Sequence, residues 1–155
     1  MNEALVYPND FHVKIAVTGC PNDCVKAHMQ DFGIIATCRP EYDYDQCIGC
    51  ESCVDACRQK VTGALRMQDG KVVKDDRRCI GCGECVLACP VAAWTRPPVT
   101  LYRLLIMGRT GKKNPRLAMP FLDRVTEEVV LKVIKNTLDS VDKHLLRSLV
   151  KEHIG

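Results

Sequence analysis

The chain has 155 residues, of which 46% are hydrophobic and 26% are charged. These proportions are typical of a globular protein of one or two small domains, and they exclude a disordered chain. The net charge of +3 is too small to indicate nucleic-acid binding, and no apolar run approaches the roughly 20 residues that span a bilayer.

The first twelve residues lack the basic start and long apolar stretch of a secretory signal, so we expect the protein to stay in the cytoplasm. The chain contains eleven cysteines, an unusually high number. Because the cytoplasm keeps thiols reduced, cysteines at this density are more often metal ligands than disulfide partners.

The first predicted elements are a strand, a short helix and a second strand. Apolar residues alternate over Phe11–Thr18, a period of two that predicts a half-buried strand. Asn22 or Asp23 is then expected to cap a short helix that runs to about Met29. The second strand is predicted over Gly33–Thr37.

The middle of the chain, from residue 42 to residue 93, contains eight of the eleven cysteines. Two short strands are predicted there, around Gly63–Met67 and around Lys71–Val73. The Asp69-Gly70 pair between them favours a hairpin turn. Pro97-Pro98 marks a linker at the end of this region.

The last part of the chain is predicted to contain a strand, a loop and a long helix. Val99–Met107 is apolar on both faces, as expected of a central strand in a covered sheet. Gly108 and Gly111 indicate a loop, and Thr126 is expected to cap the helix. Apolar residues at helical spacing predict one buried stripe on that helix, made of Val129, Val130, Val133, Ile134, Leu138, Val141 and Leu145.

Two cysteine runs, CIGCESCVDAC at 47–57 and CIGCGECVLAC at 79–89, align residue for residue. Each has the spacing C-x2-C-x2-C-x3-C, which lets one tight loop bind three corners of a [4Fe-4S] cube. Gly49 and Gly81 let the backbone turn close to it. In two-cluster ferredoxins the fourth cysteine of each run binds the other cluster. The predicted ligand sets are therefore Cys47, Cys50, Cys53 and Cys89 for one cluster, and Cys57, Cys79, Cys82 and Cys85 for the other.

A pair of zinc sites is the alternative for so many thiols. Zinc ribbons use separated C-x2-C pairs, however, and not runs of four cysteines with a proline after the second run. The pattern therefore favours two [4Fe-4S] clusters, whose chemistry is electron transfer. Trp94, which follows the second run, is predicted to pack rather than to carry electrons.

A third cysteine element, GCPNDC, places Cys20 and Cys24 four residues apart, on one face if the segment is helical. In the first turn of a helix, the N–H groups and the dipole would lower the pKa of Cys24. Taken alone, the pair is either a metal site or two buried structural thiols. His28 is either a proton relay or a polar surface residue, and Cys38 is expected to be a free thiol.

Three segments together resemble the siroheme-dependent sulfite reductases: KIAVTGCPNDCVKAHMQDFGI, the two cysteine runs, and GRTGKKNPRLA. The resemblance is to the C-terminal part of the anaerobic, dissimilatory-like type, which has an inserted two-cluster ferredoxin domain. It implies an α+β fold in which residues 1–40 and 99–155 form a nitrite and sulfite reductase half-domain. Residues 41–98 would be the inserted ferredoxin-like 2[4Fe-4S] module.

The resemblance also implies a third metal site. In that family a C-x5-C pair and a later C-x3-C pair hold a [4Fe-4S] cluster, and the last cysteine bridges to the siroheme iron. Cys20 and Cys24 match the later pair, which implies that both bind metal and that Cys24 is the bridging thiolate of the catalytic centre. The nineteen residues before Cys20 contain no C-x5-C pair, so we expect a fragment, a mis-assigned start or a chain completed by a partner.

The basic loop in GRTGKKNPRLA has the wrong glycine spacing for a Walker A motif, and it ends in lysine where that motif has Ser or Thr. In siroheme reductases the matching loop approaches the cofactor, which has many carboxylates. Four basic side chains are suited to pair with them, namely Arg109, Lys112, Lys113 and Arg116. A solvated basic loop is the alternative.

The expected function is that of an iron-sulfur oxidoreductase. Electrons from a redox partner protein or an electron-donating subunit would pass through the two clusters to the siroheme-coupled cluster, where sulfite or nitrite is reduced. A stand-alone electron-transfer module without a catalytic site is the alternative. No nucleic-acid or membrane partner is expected, whereas a hetero- or homo-oligomer is compatible with the sequence.

Overall fold

The computed structural model describes residues 13–110 and 115–144. The chain divides into two compact units after Ala36 and after Thr100, so unit 2 (37–100) is inserted between the two segments of unit 1. In chain order, the elements are β1 (Ile15–Thr18), a 3₁₀ helix (Ala27–Met29), β2 (Phe32–Thr37), β3 (Glu41–Tyr42), α1 (Ser52–Lys60), β4 (Leu65–Gln68), β5 (Lys71–Lys74), α2 (Glu84–Ala88), β6 (Trp94–Thr95), β7 (Leu101–Ile106), β8 (Met119–Val125) and α3 (Glu127–His144).

Unit 1 is built on a four-stranded sheet in the order β1-β2-β7-β8. The strands β1 and β2 are parallel, whereas β7 and β8 are antiparallel, with register shifts between Tyr102 and Leu105. The predicted central strand is β7, which lies between β2 and β8. The mixture of this sheet with helices is the α+β architecture that the sequence predicts.

Both faces of the sheet are covered at β7. Leu104 and Leu105 are successive residues that point to opposite faces, and each is 0% exposed. Leu104 packs with Phe32 and with Ile134 of α3, whereas Leu105 packs with Ala27 of the 3₁₀ helix on the other side. Burying one leucine side chain contributes roughly 1.5–3 kcal/mol, so this strand anchors unit 1.

The helix α3 buries part of the predicted stripe. Val130, Ile134 and Leu138 are buried, and they repeat every four residues along one face. The prediction is wrong for Val129, which is 37% exposed because it lies at the edge of the buried face. Leu145, the last predicted member, lies outside the described residues.

Unit 2 contains the predicted hairpin between β4 and β5, in which Gln68 pairs with Lys71. Asp69 and Gly70 both have positive φ, 51° and 75°, as a type I′ turn requires. The core of this unit includes Leu65, Val72 and Trp94. No helix among the described residues has both the length and the apolar character needed to cross a bilayer.

Gly108 offers a test of packing in unit 1. A Cβ at this position would lie 2.5 Å from the carbonyl oxygen of Gln30 and 2.7 Å from that of His28. We expect Gly108→Ala to lower the free energy of unfolding by about 3 kcal/mol, the upper range for overpacking. Gly19→Ala is the matched control, because a Cβ there meets no described atom within 4 Å, and we expect it to change stability by less than about 1 kcal/mol. Urea denaturation followed by circular dichroism measures both, and equal effects would contradict the packing argument.

Candidate iron-sulfur centres

The first cavity of unit 2 is a small pocket that is partly open to solvent and is lined by four thiols. Three of the thiols, Cys47, Cys50 and Cys53, come from the first cysteine run, and the fourth, Cys89, comes from the second. The remaining lining residues include two aromatic side chains and several apolar ones. This is the set of cysteines predicted for one cluster.

The second cavity is likewise a small, partly open pocket, and it is lined by the other four thiols. Cys79, Cys82 and Cys85 belong to the second run, and Cys57 belongs to the first. The structure thus brings together the residues of each predicted ligand set. Their role as iron ligands stays a prediction.

The helix α1 explains why each run contributes to both cavities. Cys53 lies in its first turn and Cys57 follows four residues later, which is about 6 Å further along the helix axis. That distance carries the Cys57 thiol away from its own loop and toward the loop of the second run. Left-handed residues at Gly49 (φ 72°) and Gly81 (φ 73°) turn the two loops back on themselves.

Within residues 13–110 and 115–144, no group of three or more His, Cys, Asp or Glu side chains is placed to hold a single metal ion. A zinc ion with four Zn–S bonds of ~2.3 Å would hold its sulfur atoms about 3.8 Å apart. The iron and sulfide content of the chain distinguishes zinc from a multi-iron cluster in each cavity.

Hydrogen-bond donors already lie against several of the thiols. The buried backbone N–H of Ala64 donates to Cys57 Sγ at 3.2 Å, and Ser52 Oγ lies 3.5 Å from Cys50 Sγ. Hydrogen bonds from Ser52 lower the pKa of Cys50. Burial does the opposite deeper in the unit, where it raises the pKa of Cys85 to about 12. A metal must displace these thiol protons, because the thiolate is the ligand.

The segment around Cys20 and Cys24 is not the predicted α-helix. Asp23 and Lys26 have positive φ, 55° and 57°, which interrupts helical geometry, so only a 3₁₀ helix forms at Ala27–Met29. The expected lowering of the Cys24 pKa is therefore wrong as well. Cys24 is exposed, and its hydrogen bond to Cys20, with the sulfur atoms 3.8 Å apart, raises its pKa.

The N-cap residue of the 3₁₀ helix is Lys26 and not one of the two predicted caps, but the Asp23 side chain binds the N–H groups at the start of this helix. Its carboxylate accepts hydrogen bonds from the backbone N–H of Ala27 (2.5 Å) and of His28 (3.1 Å). The His28 ring also pairs with it, with Nδ1 and Oδ2 2.5 Å apart. Burial raises the pKa of Asp23, but these hydrogen bonds outweigh burial and hold it below its ordinary value.

The basic loop lies against the segment that follows Cys24. Arg109 and Arg116 pair through their backbones at 2.9 and 2.8 Å, and Arg116 Nε donates to the carbonyl of Met107. Thr110 Oγ1 lies 3.3 Å from the carbonyl oxygen of Met29. Unit 1 thus places the two arginines beside the 3₁₀ helix, whereas the other two predicted cofactor contacts, Lys112 and Lys113, lie outside the described residues.

Cys38 is buried beside the second cysteine run. Its N–H donates to the carbonyl of Gly81 at 2.9 Å, and a Cβ on Gly83 would lie 3.2 Å from its sulfur. Burial raises the pKa of Cys38, and the Arg96 guanidinium partly offsets that effect. The thiol is buried, and its expected role as a free thiol stays a prediction.

The sequence reasoning missed Tyr42 as a residue of the first cavity, and it treated Trp94 as packing only. Both residues line that cavity, and the pairing of β3 with β6 places them side by side. The sequence contained one indication of this, namely that both aromatic residues flank the cysteines of one predicted ligand set. Tyr42 lies five residues before Cys47, and Trp94 lies five residues after Cys89.

Comparison with known proteins gives a consistent picture. Residues 5–145 match the nitrite and sulphite reductase 4Fe-4S domain. The chain is 46% identical to the C subunit of anaerobic sulfite reductase from Salmonella typhimurium, and equally to that from Salmonella typhi. Each alignment extends over 153 residues, which are 99% of this chain and 45% of the relative. A crystal structure of dissimilatory sulfite reductase I is similar with a TM-score of 0.56 at 17% identity, over 86% of this chain and 36% of that one. The chain thus spans less than half the length of these two curated relatives.

Proposed function

Because the chain belongs to the nitrite and sulfite reductase 4Fe-4S domain family, we propose that it is the electron-transfer part of a sulfite or nitrite reductase and holds two [4Fe-4S] clusters. The observation that carries the proposal is the grouping of eight thiols around two cavities, each with three thiols from one run and one from the other. That arrangement is the ligand pattern of two-cluster ferredoxins.

The residues of unit 2 fit such clusters. Cys47, Cys50, Cys53 and Cys89 would hold one, and Cys57, Cys79, Cys82 and Cys85 would hold the other. When bound, each cluster accepts and releases single electrons. The protein fixes the positions of the thiols, shields the buried ones such as Cys53 and Cys85 from water, and provides hydrogen-bond donors to the sulfur atoms.

A siroheme-coupled cluster fits this chain only in part. Cys20 and Cys24 provide two thiols, and no third metal-binding side chain joins them among the described residues. We propose that two further ligands from outside the described residues complete this site, in which Cys20 and Cys24 would be two of the thiolates that hold the cluster. Four basic side chains would bind the siroheme carboxylates, because cationic groups form strong hydrogen bonds with carboxylates. They are Arg109, Lys112, Lys113 and Arg116.

The partners of the chain follow from this proposal. A reductase that spans about twice this length would need the remaining half of the catalytic centre and a protein that donates electrons to unit 2. The substrate would be sulfite or nitrite, and the high number of cysteines, most of them proposed metal ligands, favours a reducing, cytoplasmic location. The alternative of a stand-alone ferredoxin-like module is less favoured, because the family match extends over residues 5–145 and not only over the cysteine runs.

Iron and tetrapyrrole quantification tests the proposal. We expect the anaerobically reconstituted chain to bind about eight iron atoms and as much acid-labile sulfide, the content of two four-iron clusters. One or two zinc ions without sulfide would contradict the cluster assignment. Siroheme absorption with iron well above eight would show that the chain itself forms the catalytic centre. Eight iron atoms without a tetrapyrrole would limit the isolated chain to electron transfer.

A further inference from the structure

Tyr42 and Trp94 line the first cavity together with its four thiols. We infer that they are positioning residues whose O–H and N–H groups donate to the Cys47 and Cys53 sulfur atoms and raise the reduction potential of that cluster alone. The inference rests on the proposed presence of the cluster. It goes beyond the proposed function because it gives two aromatic side chains a role in setting the reduction potential, and because it makes the two clusters inequivalent.

The Tyr42 hydroxyl is oriented by the backbone. The N–H of Val72 donates to Tyr42 Oη at 3.2 Å, which occupies an acceptor site and leaves the hydroxyl proton to be donated. The hydroxyl is a hydrogen-bond partner of Cys47, and both residues line the first cavity.

The Trp94 side chain is almost completely buried, with 2% of its surface exposed. Its ring packs on that of Tyr42 with centroids 4.7 Å apart at 34°. Its buried Nε1–H has no hydrogen-bond partner of good geometry among the described residues, which is unfavourable for a buried donor. Trp94 and Cys53 belong to the same buried cluster, and both line the first cavity. A thiolate bound to iron is a stronger acceptor than a thiol, so cluster binding would satisfy this N–H.

The expected consequence is electrostatic. Reduction adds one negative charge to the cluster, and part of it resides on the sulfur atoms, so a donor aimed at those atoms stabilises the reduced state more than the oxidised state. Hydrogen bonds to sulfur are one of the main determinants of cluster potential. Because Trp94 is almost completely buried, water does not replace its N–H when the indole is removed, whereas Tyr42 is only partly buried.

The second cavity has no counterpart of this pair. None of the described residues that line it is aromatic, and a donor to one of its thiols is the backbone N–H of Ala64. Removal of the Tyr42 hydroxyl or of the Trp94 N–H should therefore affect one cluster and leave the other unchanged. The unaffected cluster is an internal control in every sample.

The experiment compares Tyr42→Phe and Trp94→Phe with the wild-type chain, each reconstituted with iron and sulfide. Tyr44→Phe is the matched control, because Tyr44 contacts the Tyr42 ring edge-on at 6.3 Å, is 57% exposed and does not line the first cavity. Reduction is followed by electron paramagnetic resonance in a potentiometric titration. We expect each test variant to lower the equilibrium constant of one reduction step about tenfold, or ~59 mV for a one-electron couple. Tyr44→Phe should shift neither step.

Iron content separates the possible failures. If the wild-type chain does not bind two clusters, the proposed function itself is wrong. If all chains bind about eight iron atoms and neither step moves in the variants, only the inference is wrong. Equal shifts of both steps would also overturn it, since they would indicate a change in the whole unit. If Trp94→Phe loses iron, the reduction potential of Tyr42→Phe tests the inference. If both variants lose the first cluster, the two aromatic residues only pack the site, and the inference is wrong.

Discussion

Replacement of Cys47 and Cys89 together by alanine should leave one intact [4Fe-4S] cluster per chain, whereas replacement of Cys79 and Cys89 together should leave none. Cys47 and Cys89 line the same cavity, so the first double variant removes two ligands from one site. Cys79 lines the other cavity, so the second double variant removes one ligand from each site. Each site then lacks one of its four thiolates.

The two double variants are matched controls for each other, because each replaces two cysteines with two alanines. Spin quantification of the reduced [4Fe-4S] signal measures the number of clusters, and iron analysis supports it. If each run instead held its own cluster, the results would be reversed, with no cluster left in the Cys47 and Cys89 variant and one in the Cys79 and Cys89 variant. The experiment therefore tests the crossing of ligands and not only the presence of iron.

Gly81→Ala should disrupt the second cavity, because its added Cβ would overlap with backbone atoms. Gly81 has a φ of 73°, and a Cβ there would lie 2.5 Å from the carbonyl oxygen of Cys38 and 3.0 Å from Thr37 Cβ. The left-handed conformation costs an alanine roughly 1–2 kcal/mol, and the overlap with the backbone adds about 1–3 kcal/mol. We expect the chain to lose the cluster bound by Cys79 and its partners, and with it about half of its iron.

A graded series of glycines separates backbone strain from overlap. Gly70 has a φ of 75° but meets no described atom within 4 Å, whereas Gly49, the counterpart of Gly81 in the first run, would place a Cβ 3.0 Å from the carbonyl oxygen of Gly70. Gly70→Ala should keep both clusters, and Gly49→Ala should weaken only the cluster of the first cavity. Cluster retention during urea denaturation orders the three variants, and equal losses would show that φ alone is responsible.

Much of unit 2 was predictable because its signals are local. The spacing of each cysteine run is set by the geometry of a cube that three thiols bind from one loop. Asp69-Gly70 likewise encodes a type I′ turn through positive φ at two residues.

In unit 1, the periodicity of α3 predicts its buried face correctly at Val130, Ile134 and Leu138.

The element around Cys20 was predicted poorly because two effects compete there. The signal at Asp23 is partly correct, since its carboxylate binds the N–H groups of Ala27 and His28, although the N-cap residue is Lys26. The left-handed backbone at Asp23 and Lys26 nevertheless prevents an α-helix, and residue preferences at single positions are too weak to reveal this. The basic loop was identified by composition, but its position beside Met29 depends on the sheet.

The sequence by itself determined which cysteines form the two sets of four, because repetition and spacing carry that information along the chain. Only the tertiary structure decided what surrounds each set. Tyr42 and Trp94 are 52 positions apart in the sequence, and they meet because β3 pairs with β6. Cys38 and Gly81 meet through one long-range backbone hydrogen bond. Ligand spacing is a local property, whereas burial and the supply of hydrogen-bond donors depend on contacts between distant segments.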